Sequence, residues 1–494
     1  MTTLNASVGL LRQTNAPSRL FSSSRLAMLD HLRVPYELDP GLALDGVEQL
    51  LAPTGGATLL WKRGLDAPAV AATMAGADRE TPVRLFARVL PDAEVQPMLL
   101  ERGGEWHRAR VLRTGDGRPL GSIWRDDAGN VFLPFDPNEV VEAFWSERYL
   151  HTAHGTKVRL LRRALMRAYY RVRPLLPRPL QIWLRRRFAR VQARSTFPRW
   201  PRETSLHDFF ELMFAILTGI NGGPVPRIAS WPSGHSWALV LSHDVEQAEG
   251  LAAMHPVLEL ERARGLRSAW NLVPRRYAID PQCVTALSAA GFEVGVHGLY
   301  HDGRDLESLA TWQRRLPEAN AAGARWEAVG FRSAALHRHW DWMRLLAFDY
   351  DSSCPDTDPF EPQAGGCCTW LPFFNGELVE LPVTLPQDHT LFVILGQKDE
   401  SMWVQKAEFL REHGGMAMID THPDYLIDSK IFTAYSRFLD RFAGDETAWK
   451  ALPRDVSSWW RRRAASSLEH TADGWRIVGP AADDGRVVFE EGTW

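Results

Sequence analysis

A chain of 494 residues, 45% hydrophobic and 24% charged, has ordinary globular proportions and room for about two to four domains. A formal net charge of -3 argues against nucleic-acid binding by the molecule as a whole. Cys283, Cys354, Cys367 and Cys368 are too few and too unevenly placed for a disulfide framework, and no run approaches the ~18 apolar residues that span a bilayer. Met1 to Leu20 lacks a basic start followed by a continuous apolar core, so the expected location is the cytoplasm.

Residues 1–140 mix strand-like pieces (Ala57 to Trp61, Val83 to Ala87) with helical ones such as Arg25 to Leu32. Glycine, proline and aspartate punctuate them at short intervals, which predicts an N-terminal α/β or α+β domain with nothing catalytic in it. A strand and turn over Gly129 to Pro137 leads into a helix over Asn138 to Tyr149. Residues 141–204 read as a basic helical linker. From Lys157 to Arg202, Arg162, Arg163, Arg167, Arg171, Arg173 and Arg185 to Arg187 alternate with Leu160, Leu161, Leu165, Tyr169, Tyr170, Trp183 and Leu184, with no acidic residue until Glu203. Such a segment suits an anionic membrane surface or a polyphosphate-like group, and peripheral contact with the inner face of a membrane through residues 157–202 is one expectation. The other, preferred because charge patterns of this kind are common on solvated helices, is a solvated connector whose apolar side packs on a neighbouring domain.

Residues 205–445 change to short apolar strands, each ending in polar residues and followed by a helix-like stretch. Trp237 to Leu241 ends at Ser242-His243-Asp244-Val245-Glu246, and Phe292 to Val296 delivers His297 and His301. Between them, Asp280, Pro281 and Gly291 mark the cap, first turn and stop of a helix. Later strands lead to Arg332, to Asp351-Ser352, to Pro382 and to Thr421-His422. Every candidate polar group lies at the C-terminal end of a strand, as in a (β/α) barrel with a mainly parallel sheet. Ile431, Phe432, Tyr435, Phe438, Leu439 and Phe442 form the stripe of a last packed helix. Residues 446–494 read as a small C-terminal appendage.

Two imidazoles four residues apart at a strand end can clasp one ion. Asp244 and Glu246 are alternate residues of an extended segment, so both can face the same pocket. Asp388, in Pro386-Gln387-Asp388-His389, is either a carboxylate that orients His422 or part of a turn. Cys367 and Cys368 read as inert loop thiols, and Trp270, Trp340, Trp342 and Trp370 fall near the expected mouth.

Asp244-Val245-Glu246, His297-x-x-x-His301, Arg332 after Gly330-Phe331, Tyr350-Asp351-Ser352-Ser353 and His422-Pro423 together resemble the polysaccharide deacetylase family, carbohydrate esterase family four, over about residues 235 to 445. The resemblance implies a deformed (β/α) barrel with NodB homology. It also implies one divalent metal ion, expected to be Zn2+, and removal of an N- or O-acetyl group from a sugar, polysaccharide or glycolipid intermediate. Carried onto this chain, His297, His301 and Glu246 are the expected metal ligands, Asp244 the base, Arg332 its partner and His422 the acid. The family's commonest first motif has adjacent aspartates, so Asp244 is the alternative ligand, with Glu246 or His243 then serving as base. A catalytically inactive carbohydrate-binding barrel and an amide hydrolase acting on a non-sugar substrate remain as alternative functions.

Overall fold

The computed structural model describes residues 26–38, 47–51, 56–63, 68–75, 82–153 and 177–493. Much of the basic run, residues 154–176, therefore lies outside the described residues.

The N-terminal part is α+β. Glu37–Leu38, Val47–Leu51, Thr58–Lys62, Val131–Leu133, Pro119–Asp126, Trp106–Arg113, Val70–Met74 and Val83–Ala87 lie side by side in that order. The pair of Thr58–Lys62 with Val131–Leu133 is parallel, and every other pair is antiparallel. Helix Pro137–Trp145 starts where proline stands at its first position and the Asp136 carboxylate accepts the Asn138 amide at 2.9 Å. Its buried face carries Val140, Val141, Phe144 and Trp145, and Trp145 stacks on Phe373 with centroids 5.1 Å apart. Phe86, Phe144, Tyr149 and Phe197 meet in the same core, so this sheet packs directly on the C-terminal half.

That half is built on β1 (Trp237–Val245), β2 (Ser268–Leu272), β3 (Glu293–His297), β4 (Gly330–Arg332), β5 (Tyr350–Asp351), β6 (Leu378–Glu380) and β7 (Met416–Thr421). The strands are parallel in the order β6-β5-β4-β3-β2-β1-β7, and Phe373–Asn375 adds an antiparallel edge to β6. All nine residues of β1 are buried, as expected of a parallel strand covered on both faces. Among the described residues, no regular strand joins β6 to β7. Instead Val383 donates its amide to the Cys354 carbonyl at 2.9 Å, and Leu385 donates to the Met418 carbonyl at 2.9 Å, which curls the sheet toward closure.

The helices follow the expected stripes. Pro281–Ala289 is capped by Asp280, whose side chain accepts the Gln282 amide at 2.9 Å, and Gly291 beyond it takes the left-handed conformation. Ser429–Phe442 buries Ile431, Tyr435, Phe438, Leu439 and Phe442, each contributing about 2 kcal/mol of apolar burial.

The tail is less separate than its polar composition implies. Ala448–Ala451 pairs in parallel with the first half of β1, and Val487–Glu490 pairs with Val225–Ile228. From helix Pro453–Ala464, buried Arg463 donates to the carbonyls of His31, Leu32, Ile228 and Ala229, tying both ends of the described chain to the barrel flank. Among the described residues, no helix is long and apolar enough to cross a membrane.

Candidate active site

The alternating pleat of β1 decides which side chains meet. Ser242 and Asp244 face inward, and Glu246 follows on the same side just past the strand end. His243 faces the other way. Its ring nitrogens lie 2.7 Å from Thr421 Oγ1 and 2.7 Å from Glu261 Oε1, and its ring packs on Trp270. It is a satisfied core histidine, too far round the strand to act as the base.

His297 ends β3, and Gly298 then turns the chain with φ 59°. A Cβ on Gly298 would come within 2.7 Å of Asp305 Oδ2, which also accepts the Leu299 amide at 3.1 Å. This tight reversal brings His301, itself at φ 53°, back over the strand end, so that the two imidazole centroids are 4.9 Å apart. His297 Nδ1 lies 3.2 Å from the Arg332 carbonyl, which places the ring proton there and leaves the Nε2 lone pair facing the pocket.

Arg332 ends β4 and is fully buried. Its Nη1 lies 3.0 Å from Asp244 Oδ1 and 2.7 Å from Asp420 Oδ1. Nη2 donates to Ser242 Oγ and Nε to the Ser352 carbonyl, both at 3.0 Å. Burial pushes the Asp244 carboxyl up, but the Arg332 guanidinium above all, with His422 and a hydrogen bond from Asn271, outweighs it and holds the group at about 2. Asp420 goes the other way: burial, reinforced by the Asp244 charge, raises its carboxyl well above the usual range despite Arg332. One guanidinium thus faces two carboxyls, and Asp244 is the one kept ionised.

His422, just past β7, is held by Asp388. The Asp388 carboxylate lies 2.7 Å from His422 Nδ1 through Oδ1 and accepts the His422 amide at 2.7 Å through Oδ2. Burial alone would lower the imidazole pKa, but Asp388, Asp420 and Glu246 raise it well above the ordinary value. Its Nε2 faces the Glu246 carboxylate at 3.7 Å. The orienting reading of Asp388 is therefore the one the geometry supports.

Glu246, His297 and His301 offer one carboxylate oxygen and two ring nitrogens, all within 4.8 Å of one another. His301 Nε2 is paired with the Glu246 carboxylate at 2.9 Å, while the buried His297 Nε2 has no hydrogen-bond partner. A buried nitrogen left unpaired is costly, and an N,N,O set converging on one point fits a divalent ion.

Sequence reasoning missed three contributors. Asn271 on β2 donates through Nδ2 to Asp244 Oδ1 at 2.8 Å, while Asp420 and Ser242 surround Arg332. A signal for Asn271 was present: a Cβ on Gly295 would collide with its Oδ1, and a glycine inside a strand marks close approach of a neighbour. Of the tryptophans placed near the mouth, Trp270 is fully buried behind His243 and Trp370 stacks on His207, whereas Trp340 and Trp342 keep partial exposure. Cys354, Cys367 and Cys368 are buried free thiols, Cys283 is a partly buried one, and burial pushes all four upward.

No protein-family model matches the chain, and no curated protein matches it. Several solved structures are similar in shape, among them polysaccharide deacetylases, family-four carbohydrate esterases, an allantoinase and a 4-alpha-glucanotransferase. A probable polysaccharide deacetylase from Pseudomonas aeruginosa PAO1 is 17% identical, with 50% of this chain and 97% of that one covered at a TM-score of 0.40. A family 4 carbohydrate esterase from Streptomyces lividans, solved with acetate, is 16% identical over 43% of this chain and 91% of that one, with a TM-score of 0.30. The family-four pseudoenzyme BA3943 from Bacillus anthracis is 14% identical over 44% and 65%, with a TM-score of 0.28. Likeness at this level says nothing of what the site does, which its own residues must decide.

Proposed function

We propose that the chain is a metal-dependent hydrolase that removes an N- or O-acetyl group from a sugar, polysaccharide or glycolipid. The observation that carries this reading is the convergence of the His297 and His301 ring nitrogens and the Glu246 carboxylate, beside Asp244 held by Arg332 and His422 held by Asp388.

Glu246, His297 and His301 would hold the ion. When bound there, a divalent ion such as Zn2+ supplies Lewis acidity toward an acyl oxygen and toward water. The remaining chemistry belongs to the chain. Asp244 has Oδ1 occupied by Arg332 and Asn271, which leaves Oδ2 to take the proton of the attacking water. Arg332 keeps that carboxylate charged and fixed. Water oxygen bonds to the acyl carbon, the bond to the sugar nitrogen or oxygen breaks, and His422 gives the leaving atom a proton. Acetate and a free amine or hydroxyl result.

Metal analysis of the purified protein, combined with acetate release from a panel of acetylated amino sugars and sugar esters, tests the reading. Bound metal with acetate release is the expected result. Metal without turnover across the panel would favour a carbohydrate-binding barrel that has lost its chemistry. Hydrolysis of non-sugar amides alone would move the substrate class.

A further inference from the structure

Helix Arg178–Gln192 is the described part of the basic segment, and it has two faces of different use. Its inward face is committed. Ala189 is buried against Phe360 and Ile394, Arg185 donates to the Phe360 carbonyl at 2.8 Å, Gln192 to the Pro359 carbonyl at 2.6 Å, and Arg186 to the Val393 carbonyl at 2.9 Å.

The outward face is unusual for a solvated helix. Leu180, Trp183, Arg187, Arg190, Val191 and Arg194 recur at helical spacing along one stripe, the last one just past the helix end. Leu180 is 41% exposed, Trp183 52% and Val191 58%. The Arg187 guanidinium sits over the Trp183 ring at 5.2 Å. No acidic residue occurs anywhere on the helix. A helix exposed only to water has no use for three large apolar side chains set among cations of a single sign. A lipid interface rewards both: apolar side chains enter the acyl boundary, tryptophan occupies the headgroup level, and arginines meet anionic headgroups.

We infer that the Leu180-Trp183-Arg187-Arg190-Val191-Arg194 face docks the protein on an anionic lipid surface. Its position gives that docking a consequence. The turn it packs on, His389–Ile394, begins one residue after Asp388, the partner of His422. The lipid-facing helix and the strand-end site are therefore joined through a single layer of chain, an arrangement suited to a substrate that is presented at a membrane.

Co-sedimentation of the full-length protein with phosphatidylglycerol–phosphatidylcholine vesicles, and with phosphatidylcholine alone, tests this without reference to catalysis. The protein should pellet with the anionic vesicles, less so as salt rises. Trp183→Ala, and Arg187→Glu with Arg190→Glu, should each weaken that binding about tenfold or more while circular dichroism stays unchanged. Equal binding to neutral vesicles, or undiminished binding by folded variants, would overturn the inference. So would a dimer that Trp183→Ala turns into monomer, which assigns the face to a second copy, or binding of RNA in place of vesicles.

Discussion

Asp388 and His422 are joined twice, with Oδ1 at 2.7 Å from the ring Nδ1 and Oδ2 accepting the backbone amide at 2.7 Å. The carboxylate fixes both the ring's orientation and the nitrogen that carries the shared proton, so Nε2 is the end left for chemistry. Asp388→Asn keeps an acceptor for the amide but removes the charge that sustains the imidazolium. Turnover should fall about 10²-fold with KM little changed, and thermal unfolding should stay near that of the parent. A rise in KM alone, with kcat preserved, would place Asp388 in binding and not in the positioning of His422.

The proposed roles of Asp244 and Glu246 can be separated by substitution. Glu246→Gln should lower the metal content of the purified protein, as should His297→Ala and His301→Ala, because each removes one of three converging donors. Asp244→Asn should retain metal and lose about 10³-fold or more in turnover. Elemental analysis beside acetate release reads both outcomes. Loss of metal in Asp244→Asn with retention in Glu246→Gln would exchange the two roles.

The site was legible in the sequence where polarity interrupts an apolar run at its end. Asp244, His297, Arg332 and His422 each follow such a run, and the strand-end placement brings them into one pocket. Asp420 sits inside the run Met416–Thr421, where one carboxyl among apolar residues has no local mark of its purpose; only the Arg332 side chain explains it. Long-range pairings were illegible for a related reason. Ala448–Ala451 is four residues long, too short for periodicity to separate it from a loop, and its place beside β1 is a tertiary fact.

Glu147 and Arg338 are such a pair, 191 residues apart and both buried. Arg338 Nε donates to Glu147 Oε2 at 2.6 Å, and the Gly366 amide donates to Glu147 Oε1 at 2.8 Å, so one carboxylate pins the segment after Arg332 to the N-terminal part. Glu147→Leu alone leaves an unpaired buried cation and should cost about 3–5 kcal/mol in denaturant unfolding. Glu147→Leu with Arg338→Met should recover part of that loss, since the buried cation is removed, while the Gly366 amide and the Leu336 carbonyl still lose their partners. Additive losses in the double variant would mean that the two side chains act independently.

Glu293 offers a pH test away from the metal donors. Burial lifts its carboxyl to about 7, while hydrogen bonds from the Arg454 amide at 3.0 Å and the Tyr350 hydroxyl at 2.7 Å only partly oppose the rise. A carboxyl with a raised folded-state pKa binds its proton more tightly in the native state than in the unfolded chain. Its contribution is therefore most favourable at acid pH and falls as pH rises from the ordinary glutamate range to about 7, by about 3 kcal/mol in all. Glu293→Gln removes the titration. It keeps an acceptor for Tyr350 but gives up the bond from the Arg454 amide, at a cost of about 1 kcal/mol. The variant should be the less stable protein at pH 5 and should match or exceed the parent at pH 8, as read from urea unfolding at both. Parallel stability curves across that range would show that Glu293 is ionised in the folded protein throughout.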